Sequence, residues 1–184
     1  MKIFSNILFI LFITVSMANC QNLVQNNTVE TVRWYTFEEA LKLNKEKPKK
    51  IMIDVYTDWC GWCKKMDRET FINPVIVKYL NENFYPVKFN AESKEPIEFD
   101  GKKYVNEGTG SRSSHQFAIA LLNGQLSYPS IAYFTEKLVY LGAVPGYKTP
   151  DQLEVWLNYI VSEKYFAKIT FDDFQKTFVG KIKP

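Results

Sequence analysis

Cysteine and histidine are scarce in this chain: three of the one and a single copy of the other in 184 residues. A structural zinc site takes four Cys or His ligands, and Cys60, Cys63 and His115 do not complete such a set, so no metal is expected. A fold stapled by disulfides is excluded too, because one short-range bridge closes too small a loop to stabilise much. Charge of one sign is also lacking. Lys and Arg number 23 against 20 Asp and Glu, for a net charge of +3. The cations are spread along the chain without a basic stripe, which argues against nucleic acid as a partner. No glycine-rich dinucleotide motif is present, so neither a nicotinamide nor a flavin cofactor is expected. Internal repeats and low-complexity domains are absent, and an apolar fraction of 46% suits a globular core.

The N-terminal segment reads as an address. Met1-Lys2 gives a charged start, and an apolar run follows from about Ile7 to Val15. That run is too short to span a bilayer and has the length of a signal-peptide core. Two readings stand side by side. Ser16-Met17-Ala18 supports cleavage after Ala18, with a signal peptide over 1–18. Alternatively, Cys20 accepts a lipid after a lipoprotein signal over 1–19, although Asn19 stands where such signals carry a small residue. Both readings export the mature chain to the periplasm or cell envelope, and only lipidation of Cys20 ties it to a membrane. Residues 19–31 are polar and Asn-rich, as in a flexible tether.

The chemistry-bearing motif is Cys60-Gly61-Trp62-Cys63. The apolar stretch Lys50–Tyr56 before it reads as a buried strand, and a helical pattern begins at Lys64. A helix N-terminus carries partial positive charge and unpaired N–H groups, which stabilise a thiolate. Cys60, nearer the helix start, is the expected nucleophile. Cys63 is placed to resolve a mixed disulfide by thiol–disulfide exchange.

Other elements follow from local signals. Val32–Tyr35 reads as a short strand. Thr36-Phe-Glu-Glu39 has capping-box spacing ahead of a helix that Pro48 ends. The basic run Lys45–Lys50 reads as a solvated turn. Asn73-Pro74 caps another helix, and Phe84–Asn90 is a second buried strand. Ile97–Val105 forms a hairpin turning at Asp100-Gly101. Gly108–Ser114 is a loop and Ser114–Leu122 a helix, for which His115 is a surface or capping residue rather than a catalyst. Strands over Ser130–Phe134 and Leu138–Leu141 precede a long helix opened by Thr149-Pro150, and Thr170 caps a short one. The fold class is α/β, a mixed sheet flanked by helices.

With Trp59-Cys60-Gly61-Trp62-Cys63-Lys64 in this setting, the chain resembles the thioredoxin family over residues 32–166. It looks most like exported bacterial members related to the C-terminal domain of the transmembrane thiol reductase system. Residues 91–127 form an insertion before the cis-proline strand, and 167–184 a helical extension. The resemblance implies a buried acid at Asp54, six residues before Cys60, and a lysine partner at Lys88. Burial raises the Asp54 pKa and Lys88 draws it back, so that Asp54 can take a proton from Cys63. It further implies a cis bond at Pro129, with Tyr128 beside it offering backbone groups to an extended substrate. Trp59, Gly61 and Trp62 complete the expected substrate rim. The implied activity is thiol–disulfide exchange on protein disulfides, with electrons from a membrane thiol-reducing donor. No histidine lies between the cysteines, which favours reduction. An oxidase or isomerase, or a redox-regulated adaptor using residues 91–127, stands as the alternative.

Overall fold

A computed structural model describes residues 30–183. The expected signal peptide, Cys20 and most of the expected tether lie outside the described residues. The elements run α1 (Phe37–Glu46), β1 (Lys50–Tyr56), α2 (Gly61–Glu69), α3 (Pro74–Asn83), β2 (Phe84–Asn90), β3 (Ile97–Phe99) and β4 (Lys102–Tyr104). They continue through α4 (Gln116–Leu121), β5 (Ser130–Phe134), β6 (Tyr140–Pro145), α5 (Pro150–Ser162) and α6 (Phe171–Thr177).

The main sheet has the order β2-β1-β5-β6. β1 pairs parallel with β2, placing Asp54 opposite Lys88, and antiparallel with β5, placing Asp54 opposite Ile131. β5 and β6 form the terminal antiparallel pair. Because side chains alternate along a strand, Ile51, Ile53 and Val55 enter one core while Met52 and Asp54 face the other. The first core gathers Val87, Phe89, Phe117 and Phe134 with α1 and α4. The second gathers Met66, Leu80, Ile131, Tyr133, Leu153 and Leu157 from α2, α3, β5 and α5.

Several expected signals act as anticipated. Thr36 and Glu39 form a reciprocal capping box, Asn73 caps α3 with Pro74 at its first position, and Asp100 and Gly101 both take positive φ in the β3–β4 turn. The C-terminal extension packs on α5, where the Trp156 and Phe171 rings stack at 3.5 Å. Glu154 is buried on α5, and its carboxylate accepts the backbone N–H groups of Lys181 and Ile182.

Four expectations need correction. Val32–Tyr35 is not a strand: Tyr35 alone bridges to Val87, while Arg33 bonds to the Asn81 side chain instead of a neighbouring strand. The helix of the dithiol begins at Gly61, not Lys64, because Cys60 itself is the cap. The last strand runs Tyr140–Pro145, since Leu138 adopts a left-handed turn conformation. Lys50 is no part of a solvated turn. It is buried at the start of β1, where its amine bonds to Glu136 and Glu163.

Candidate active site

Cys60 and Cys63 are joined by a disulfide at the start of α2, with Cα atoms 5.3 Å apart, and both are buried. Cys60 is the helix N-cap, and its Sγ accepts the backbone N–H of Cys63 at 3.0 Å. The first turn of α2 carries no acidic residue, so nothing there opposes the positive end of the helix. An anion on the Cys60 sulfur would therefore meet both a donated N–H and the helix field.

Below the helix lies a polar cluster in an apolar core. Asp54 is fully buried. The Lys88 ammonium donates to its Oδ2 at 2.6 Å, and Oδ1 has no partner among the described residues. Burial drives the Asp54 pKa upward and Lys88 restrains it, leaving it at about 6. Burial pulls the Lys88 pKa down, but the charges and hydrogen bonds of Asp54 and Asp67 together outweigh this and hold it above its ordinary value. Lys88 also bonds to Asp67 on α2 and lies 5.0 Å from the ring centres of Trp34 and Tyr56. The Tyr133 hydroxyl, buried on the same side of the sheet, has no partner among the described residues, and its pKa is raised by burial and then by Asp54.

Above the dithiol, Trp62 is 59% exposed and Trp59 50%. The Trp62 ring lies 5.5 Å from that of Tyr147, whose hydroxyl donates to Glu69. Trp59 donates its indole N–H to Glu92 at 2.8 Å and meets Tyr128 edge-on at 6.1 Å. A Cβ added at Gly61 would meet no atom within 4 Å, so the span between the cysteines is open. The Tyr128–Pro129 bond is cis. The backbone N–H and C=O of Tyr128 pair with no backbone group of the described residues, whereas the Pro129 carbonyl accepts from Gly146.

The structure thus brings Cys60, Cys63, Trp59, Gly61 and Trp62 together at one junction, with Asp54 and Lys88 paired beneath the sheet's second face. Sequence reasoning missed Asp67, although Cys60, Cys63 and Asp67 follow i, i+3, i+7 spacing on one helix face. It also missed Glu92, Arg112 and Tyr147, which carry no local signal. His115 caps α4, its Nδ1 accepting the N–H of Phe117, but it is buried instead of lying on the surface. Burial lowers its pKa, and the Glu95 carbonyl only partly offsets this. No group of acidic, Cys or His side chains suited to a metal occurs among the described residues.

Comparison with known proteins agrees with this geometry. The chain is 35% identical to mouse (Mus musculus) spermatogenesis-associated protein 20 over 104 residues, covering 56% of this chain and 13% of that protein. It is 28% identical over 119 residues to the thiol:disulfide interchange protein DsbD of Haemophilus ducreyi, covering 64% and 18% respectively. It therefore spans only a small part of the length of these curated relatives. A thioredoxin from Thermus thermophilus superposes with a TM-score of 0.55 at 15% identity, over 76% of this chain and 94% of that one. A thioredoxin-fold protein from Helicobacter pylori gives 0.52 at 16% identity, over 70% and 79%. The family model Thioredox_DsbH, described as a protein of unknown function, DUF255, matches residues 15–140. The chain has a thioredoxin-like fold and belongs to the Thioredox_DsbH family.

Proposed function

We propose that this chain is an exported thiol–disulfide oxidoreductase that reduces protein disulfides. The observation that carries the reading is the Cys60 sulfur held as the N-cap of α2, accepting the Cys63 N–H, with Cys63 within reach to close the disulfide. In the reduced state, the Cys60 thiolate attacks a substrate disulfide and forms a mixed disulfide. The substrate's other sulfur leaves as a thiol. Cys63 then attacks the Cys60 sulfur, the substrate's second thiol departs, and the internal bridge closes. Asp54, with its pKa at about 6, accepts the Cys63 proton as an ionised carboxylate near neutral pH, and Lys88 stabilises that carboxylate before the transfer. Trp59, Trp62, Tyr128 and Pro129 form the surface on which an extended segment lies.

Electrons reach the dithiol from a membrane thiol-reducing partner. The relative named as a thiol:disulfide interchange protein supports a place in such a chain of exchanges. The apolar run Ile7–Val15 supports export, with Cys20 as the lipid acceptor if the chain is anchored.

The test is equilibration of the dithiol with glutathione and dithiothreitol redox buffers, followed by fluorescence of Trp59 and Trp62. A potential near about −270 mV is expected for a reductase. A value near about −120 mV would overturn reduction in favour of oxidation. A Cys63→Ser variant should accumulate mixed disulfides through Cys60, and failure to trap any would defeat the exchange reading.

A further inference from the structure

Arg112 lies between β4 and α4, in a loop that is braced rather than slack. Lys94 donates to the Gly108 carbonyl at 2.6 Å and to the Ser113 hydroxyl at 2.8 Å. Asn106 donates to the carbonyls of Glu92 at 3.1 Å and Ser113 at 2.7 Å. Gly108 runs so near Ser113 that a Cβ there would fall 2.3 Å from the serine Cβ. These ties fasten the loop to the turn after β2 that carries Glu92.

The consequence is the placement of one cation. The Arg112 guanidinium sits 4.9 Å from the ring centre of Trp59, the residue immediately before Cys60. Among the described residues, the other cation on a rim ring is Lys65, 5.3 Å from Tyr147, and it is already matched by Glu69 at 2.6 Å. Arg112 is exposed and makes no ion pair among the described residues. A guanidinium stacked on an indole has its position fixed while its N–H fork stays available, and that fork fits a carboxylate with two parallel bonds.

The geometry points to Arg112 as a substrate-selecting residue that favours protein segments with an Asp or Glu flanking the disulfide-bonded cysteine. The inference rests on the thiol–disulfide reading above. As the Cys60 thiolate bonds to the segment's sulfur and the segment's own S–S bond breaks, the electron pair passes to the departing sulfur, which takes up a proton from solvent. The neighbouring carboxylate pairs with Arg112 and holds the segment along the Trp59 side of the cleft.

Three peptides of equal length test this. Each carries one cysteine activated as a mixed disulfide with 2-thiopyridine, flanked by Glu, Gln or Lys. The intact, reduced chain releases thiopyridone as Cys60 attacks, and the release rate is the readout. At low salt the Glu peptide should react about threefold to tenfold faster than the Lys peptide, with Gln between them. The ratio should shrink as ionic strength rises. Arg112→Glu should reverse the order, and Arg112→Lys should keep it in weakened form. Equal rates for the Glu and Lys peptides, or an order unchanged in Arg112→Glu, would overturn the assignment of Arg112 alone. No release from any peptide would instead defeat the dithiol reading, and this inference with it.

Discussion

Lys50 and Lys88 each gather two carboxylates, and one carboxylate in each cluster is shifted in the direction opposite to its counterpart. At Lys50 the amine is the deepest member, with its side chain 10% exposed against 35% for Glu136 and 40% for Glu163. At Lys88 the deepest member is an acid: Asp54 is 2% exposed, Lys88 21% and Asp67 42%. The hydrogen bond from Lys50 holds the Glu136 pKa below its ordinary value. Asp54 accepts an equally direct bond, yet burial outweighs it and carries its pKa up to about 6. The same inventory of charges therefore lowers a carboxylate pKa at one end of β1 and leaves one raised at the other. Which group is withdrawn from water decides the difference, not which groups touch.

The comparison can be broken most strongly at Asp54. Its folded pKa lies above the 3.8 of the free side chain, so the penalty for ionising it in the core is absent below about pH 3.8 and complete above about pH 6. Asp54→Asn should therefore stabilise the protein by about 3 kcal/mol at pH 7.5 and by almost nothing at pH 3.5. Urea denaturation at the two pH values checks this, and an equal gain at both would show that the carboxylate is not paying an ionisation cost. The same variant should slow closure of the Cys60–Cys63 bridge without preventing attack by Cys60.

Lys88→Met should come next, with a loss of about 2 kcal/mol at pH 7.5, because it leaves the Asp54 carboxylate without its partner. The loss should fade toward pH 4, where Asp54 is protonated in the folded state. A loss independent of pH would point to packing against Trp34, Tyr56 and Phe71 instead. The smallest effect belongs to Lys50→Met. Its carboxylates are exposed enough to rehydrate, so a loss of about 1 kcal/mol is expected, with the dithiol potential unmoved. A shifted potential would mean that the two ends of β1 are coupled.

The sequence made one of these clusters legible and hid the other. Asp54 stands out because a carboxylate inside an apolar strand is costly, and Lys88 only through the family resemblance that pairs a lysine with that acid; the parallel register then sets the two opposite each other. Lys50 lay in a run of lysines that looked like a wet turn. Its partners are 86 and 113 residues away and become neighbours only when β5, β6 and α5 are assembled. Asp67 was hidden for a related reason: helical spacing shows its face but not that Lys88 of β2 reaches it. The β3–β4 hairpin and the capped helices were readable because turn and cap chemistry is local. The Val32–Tyr35 segment was misread because its alternation resembles a strand while only Tyr35 reaches β2. Arg112 escaped notice because nothing in a polar loop announces that other side chains have fixed its place.

The grip of Glu154 on the far end of the chain bears on handling the protein. Its buried carboxylate takes the N–H groups of Lys181 and Ile182, and a Cβ on Gly180 would fall 2.7 Å from one of its oxygens. Trimming the chain before Lys181 would strip that carboxylate of both donors. The last few residues work as a buckle, and a shortened version of this protein should be judged by the loss of that buckle rather than by the number of residues removed.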